Sequence, residues 1–211
     1  MIPVQIATRH IEINAVDERI FSSRCFPRCS DCSFCHDTCC SYGCEVDMGE
    51  RDKILLFSRE LEAELGIPSY QWFEETVTSD PEYPSGEVVR TKVRRSRCVF
   101  SSRDYRGCHL TKVNAPGGIG SPGVKPMVCS IFPVTWDRGR LLISDFLDDL
   151  PCKGHGIPIF EAQKEELRIH FGDALITELE RMASDNAAKK FTNFYQKTLD
   201  RRASSVHNNT P

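Results

Sequence analysis

The side chains in this sequence with the most chemistry to offer are its cysteines. Seven of the 11 fall between Cys25 and Cys44, and the other four, Cys98, Cys108, Cys129 and Cys152, follow singly. Thiolates are ligands for zinc and for iron–sulfur clusters. A run this dense reads as one half of a metal site whose remaining ligands come from far along the chain. Within it, Cys29-x2-Cys32-x2-Cys35-x3-Cys39 has the spacing of a bacterial ferredoxin run, with Cys40 in place of the usual proline. The C-x2-C knuckles suit tetrahedral zinc equally well, so spacing does not choose between the two cofactors. Side chains of adjacent residues diverge, so Cys39 and Cys40 are expected to serve two centres, or one centre and one packing role.

The elements that must position these residues are short. Residues 2–14 alternate as a strand with Ile2, Val4 and Ile6 on one face. The cysteine run is a loop shaped by what it binds. Asp47 and Glu50 form an N-cap and N3 pair for a helix over 48–65, with Ile54, Phe57, Leu61 and Leu65 on one stripe and Gly66-Ile67-Pro68 ending it. YQWFEETV reads as a second short helix with Trp72 and Phe73 turned inward. A turn over 79–86, a strand from Glu87 to Arg95, a Gly/Pro loop over 114–126 and a hairpin over 134–146 follow. Beyond Pro158, Phe160, Leu167, Phe171, Leu175, Leu179 and Met182 recur at helical spacing, and a further helix is expected over 186–200.

The expected fold is α+β: a small irregular sheet from 2–14, 87–95 and 134–146 with flanking helices, built around a cysteine-ligated metal centre. The expected divisions are a cysteine-cluster domain over 1–157, a helical C-terminal extension over 158–202 packed on it, and a disordered tail over 203–211. At 211 residues, 27% charged and 40% hydrophobic, the chain has the balance of a globular protein. A net charge of −3 gives no global pull toward nucleic acid or an anionic membrane. No apolar stretch approaches the ~20 residues needed to cross a bilayer, and the N-terminus alternates like a strand, unlike a signal peptide. The cytoplasm, where thiols stay reduced, is the expected compartment.

The ordered series of motifs resembles the bacterial cysteine-cluster (YkgJ-like) family, described as a zinc- or iron-chelating domain. It comprises Cys32-x2-Cys35 with Cys39-Cys40, then a capped helix and a short W/F-bearing segment. Cys98-Val99-Phe100, Gly107-Cys108, Lys125-Pro-Met-Val-Cys129-Ser-Ile-Phe-Pro133 and Pro151-Cys152 follow, so the resemblance covers roughly residues 29–155. It implies Cys32, Cys35, Cys39, Cys40, Cys98, Cys108, Cys129 and Cys152 as metal ligands, enough for two four-thiolate sites. Cys29 joins them because it completes the ferredoxin-like spacing, while Cys25 and Cys44 are left over. The family pattern is C-x2-C-x2-C-C, whereas His36-Asp37-Thr38 here separate Cys35 from Cys39. His36, at the displaced position, is a ligand candidate, as are His109 and His155; all three are expected at the surface.

Other signals are weaker. Gly118 to Lys125 lacks the ending of a phosphate-binding loop. Seven basic residues between Arg90 and Arg106 read as the wet face of a strand more readily than as a nucleic-acid stripe. Asp145, Asp148 and Asp149 have no partner base or nucleophile. The functional expectation is a cysteine-rich metal-binding protein with a structural, metal-handling or electron-transfer role, with a protein partner left open. The alternatives are a metal-dependent protein-modifying enzyme, since the flagellin lysine methylases carry a similar cluster, and a zinc-dependent nucleic-acid module.

Overall fold

The computed structural model describes residues 1–27, 32–113 and 124–185. The α+β class is as expected, but several elements differ from their sequence reading. Residues 2–16 form two strands, β1 (Ile2–Ala7) and β2 (Glu12–Val16), paired antiparallel with Ala7 opposite Glu12. Thr8, which bonds to Ile11 through both backbone and hydroxyl, turns the chain between them. After β3 (Arg24–Cys25) and the cysteine loop come β4 (Glu45–Asp47) and α1 (Met48–Leu55), capped by the Asp47 carboxylate accepting from the Gly49 amide. The helix expected over 48–65 breaks at Leu56 and restarts as α2 (Ser58–Leu65), which Gly66 closes in the left-handed region.

The segment read as a YQWFEETV helix is instead a short 3-10 turn followed by strand β5 (Phe73–Ser79). Thr76, Val77 and Thr78 are β-branched and stiff at χ1, and β6 (Glu87–Thr91) offers them an antiparallel partner. Trp72 still points inward, with its indole N–H donating to the Ile67 carbonyl. β7 (Val93–Arg94) and β8 (Arg97–Cys98) make a two-residue hairpin through Arg95 and Ser96, both at positive φ. Then come α3 (Met127–Ser130), β9 (Val134–Asp137), β10 (Arg140–Ile143), β11 (Ile157–Pro158), α4 (Ile159–Phe171) and a helix whose described part is 173–185, here α5.

The single sheet expected is divided. One sheet runs β1-β2-β10-β9, with β2 and β10 parallel; a separate one runs β4-β6-β5, so the 87–95 strand does not join the N-terminal strands. Each sheet carries its own core. The first gathers Ile6, Ile13, Val16, Leu141 and Ile143 with Phe160, Leu167 and Phe171 of α4 and Leu175 and Leu179 of α5. The second gathers Val46, Ile54, Leu61, Trp72, Val89 and Phe100. α3 joins them: Met127 and Ile131 lie in the first core, while Cys129 reaches a thiol packed on the second. The expected 186–200 helix and the 203–211 tail lie outside the described residues, as does most of the 114–126 loop. No helix among the described residues is long and apolar enough to cross a membrane.

Candidate metal centre

Five cysteines from four separate stretches come together on the flank of the second core. The Cys44 thiol, just before β4, shares a hydrogen bond with Cys129 of α3, and Cys98 at the end of β8 lies within electrostatic reach of both. Cys108 feels Cys129, Cys98 and Cys40, so all five occupy one region.

Thr91, fully enclosed at the end of β6, organises the group. Its hydroxyl oxygen accepts from the Cys44 amide at 2.9 Å and from the Cys98 thiol at 3.4 Å, and its proton faces Cys44 Sγ at 4.0 Å. The approach is tight enough that Gly43, at φ +65°, could not carry a side chain. A Cβ there would lie 2.9 Å from Thr91 Oγ1 and 3.0 Å from the Thr91 carbonyl oxygen. The β7–β8 hairpin then brings Cys98 back beside Thr91.

Burial and mutual proximity hold these thiols protonated. Cys44 is pushed well up, first by its hydrogen bond to Cys129 and then by burial. Burial raises Cys98 to about 11 and pushes Cys108 well up, each against a backbone amide that favours the thiolate. The neighbouring thiols add repulsion between would-be thiolates. A soft donor set with raised proton affinity fits a thiophilic cation, which would replace the protons and neutralise the sulfurs. The side chains do not close into a coordination shell: among the described residues no group of three or more His, Cys, Asp or Glu is arranged to hold a metal ion.

The remaining expected ligands fall elsewhere. Cys32 and Cys35 are hydrogen-bonded to each other, beneath Arg106, whose guanidinium donates to Cys35 Sγ at 3.1 Å and lies 3.1 Å from the buried Asp37 carboxylate. Cys39 and Cys152 both pack against the first core. Cys29 lies outside the described residues. Cys25 is a core residue on β3, opposite Ile157 of β11. Of the histidines, His36 is exposed, with its carbonyl bound by Arg97, and His155 is exposed against the Phe34 ring. His109 is buried instead of superficial, and its Nδ1 is 2.7 Å from the Glu64 carboxylate.

Three of the seven basic residues read as a wet strand face bind the cysteine loop instead: Arg90 at the Tyr42 carbonyl, Arg97 at the His36 carbonyl, and Arg106 at Cys35 and Asp37. Sequence reasoning left Cys44 out of the ligand set, since it matched no family position. Its one available signal was Gly43 before it, marking a close backbone approach. Searches of family models, curated proteins and solved structures return no match to this chain.

Proposed function

We propose that the chain is a cysteine-rich metal-binding protein in which Cys44, Cys98, Cys108 and Cys129, with Cys40 beside them, take zinc or an iron–sulfur cluster. The observation that carries this reading is the gathering of thiols from the cysteine loop, β8, the Cys108 turn and α3 around one buried threonine. Packing needs do not account for it. Sulfurs used merely as small hydrophobes have no reason to seek each other out from four stretches. Cys32 and Cys35, with Cys29 adjacent in sequence, form a second candidate set. Fixing four remote stretches to one ion suits a structural or electron-transfer role in the cytoplasm. The nucleic-acid alternative loses ground because Arg97 and Arg106 are spent on the cysteine loop.

Anaerobic purification followed by metal analysis and visible absorption tests the reading. Stoichiometric zinc in a colourless protein, or iron with sulfide in a brown one, is the expected result. Loss of that metal in Cys44→Ala and Cys129→Ala, and its retention in Cys25→Ala, would place it. A protein that binds neither metal overturns the proposal.

A further inference from the structure

Strand β5 ends its sheet: β6 pairs with one side, and among the described residues no strand pairs with the other. Phe73 is its last buried residue. Glu74 to Ser79 are all exposed, Val77 to 42%. Edge strands are ordinarily guarded by lysine, proline, a bulge or a covering loop. Here the irregular pairing between Phe73 and Val77 guards only the first half. From Val77 to Ser79 the ladder is regular, and neither a lysine nor a proline interrupts it.

The ladder fixes which backbone groups are open. The Asp80 amide donates to the Gly86 carbonyl, and alternate residues of a strand turn their N–H and C=O to the same side. Thr78 therefore faces β6, opposite Val88, while Val77 and Ser79 turn their N–H and C=O outward. The charge around this edge has one sign. Between Phe73 and Val89 stand Glu74, Glu75, Asp80, Glu82 and Glu87, with no lysine or arginine. Neighbouring bases lie away from the open side. Arg90 is turned to the Tyr42 carbonyl and to Glu45 of β4, and Lys92 lies beyond the bulge, its amide on the Trp72 carbonyl. Arg138 faces Asp137.

We propose that the outer edge of β5 takes an extended, lysine- or arginine-rich segment of a partner protein as an added strand. Val77 and Ser79 supply the main-chain bonds and the surrounding carboxylates select for positive side chains. A second copy of this chain fits poorly. Antiparallel self-pairing about Val77 sets Glu74 opposite Asp80, and like charges directly opposite each other are destabilising.

The test uses the full chain in its as-purified metal state and an acetylated, amidated peptide, Lys-Val-Lys-Thr-Lys-Val-Lys. It is expected to bind saturably and to move the amide NMR signals of Val77 and Ser79. A peptide of the same charge with proline in place of valine and threonine should bind about tenfold more weakly or worse, because it cannot donate to the ladder. Ser79→Pro removes an outward N–H and should weaken binding about as much. So should the exposed double change Glu74→Lys with Glu75→Lys, which leaves the backbone of β5 as it is. Thermal melts of both variants are expected to match the wild type. No saturable binding, equal binding of the proline peptide, or unchanged affinity in both variants overturns the proposal. A wild-type dimer in sedimentation that Ser79→Pro dissolves would give the edge to a second copy and overturns it as well.

Discussion

The thiols of Cys44 and Cys129 share a hydrogen bond, although one ends the cysteine loop and the other sits in α3, which also reaches the first core. That contact ties the two sheet systems together, since Cys44 packs on the second core and α3 reaches the first. It is also the largest influence keeping Cys44 protonated, so the two sulfurs compete for protons wherever no cation lies between them.

Removing metal is expected to cost much of the fold's stability. Structural zinc in thiolate sites contributes ~10–16 kcal/mol, against ~5–15 kcal/mol for the net stability of a whole domain. A thermal melt with and without a strong chelator should show a large drop in midpoint, with Cys98→Ala and Cys108→Ala lying close to the chelated wild type. An unchanged midpoint after verified metal removal rejects a structural role.

Thr91→Val tests the organising hydroxyl independently of any metal. The substitution keeps the β-branched shape in β6 but leaves the Cys44 amide without the acceptor it has at 2.9 Å. Urea denaturation should report a loss of about 1–3 kcal/mol. Thr91→Ser, which keeps the oxygen, should lose less. A larger loss in Thr91→Ser than in Thr91→Val would show that the methyl group, not the hydroxyl, matters there.

How much of this was legible in sequence depended on whether the signal was local. The Asp47 cap, the Gly66 stop and the 134–146 hairpin were readable because each rests on residues within one turn of each other. Residues 70–77 were misread because their aromatic and acidic pattern also fits a helix, and the partner that makes them a strand, β6, lies beyond a turn. The single sheet expected became two because strand order is a long-range property. For the same reason Cys44 was passed over: only the folded chain places it against Cys129 and Thr91, while Cys39, its stronger match by spacing, packs on the other core.

Glu50 and His170, which line one cleft, predict opposing pH dependences. Glu50 is raised from 4.5 to about 7, so the folded state keeps a proton that the unfolded state releases, and stability falls as pH rises across that window. His170 is lowered from 6.5 to about 4 by burial and by His10, Lys53 and Arg9, so the unfolded state gains a proton first and stability falls as pH drops from 6.5 toward 4. Each amounts to about 3 kcal/mol at most, and between pH 4.5 and 6.5 they offset each other. Chemical denaturation should therefore show Glu50→Gln losing stability on acidification, and His170→Gln losing it on alkalinisation. Parallel profiles for both variants and the wild type would contradict the assignment.

Arg106 is expected to hold the cysteine loop in shape through Asp37. That carboxylate is 3% exposed on a non-glycine residue at φ 55°, and its neighbours are the Arg106 guanidinium and the Gly107 amide, which donates to Oδ2 at 3.1 Å. Arg106→Met removes the countercharge. Because the arginine side chain is itself 27% exposed, water softens the loss to about 1–3 kcal/mol. The same change removes a positive neighbour from Cys35, whose thiol is raised mainly by burial and lowered in part by this guanidinium. Alkylation of Cys35 in metal-free protein should therefore slow at a fixed, mildly alkaline pH in Arg106→Met and recover in Arg106→Lys. A variant that is destabilised yet alkylates at the wild-type rate would confine Arg106 to packing on Asp37.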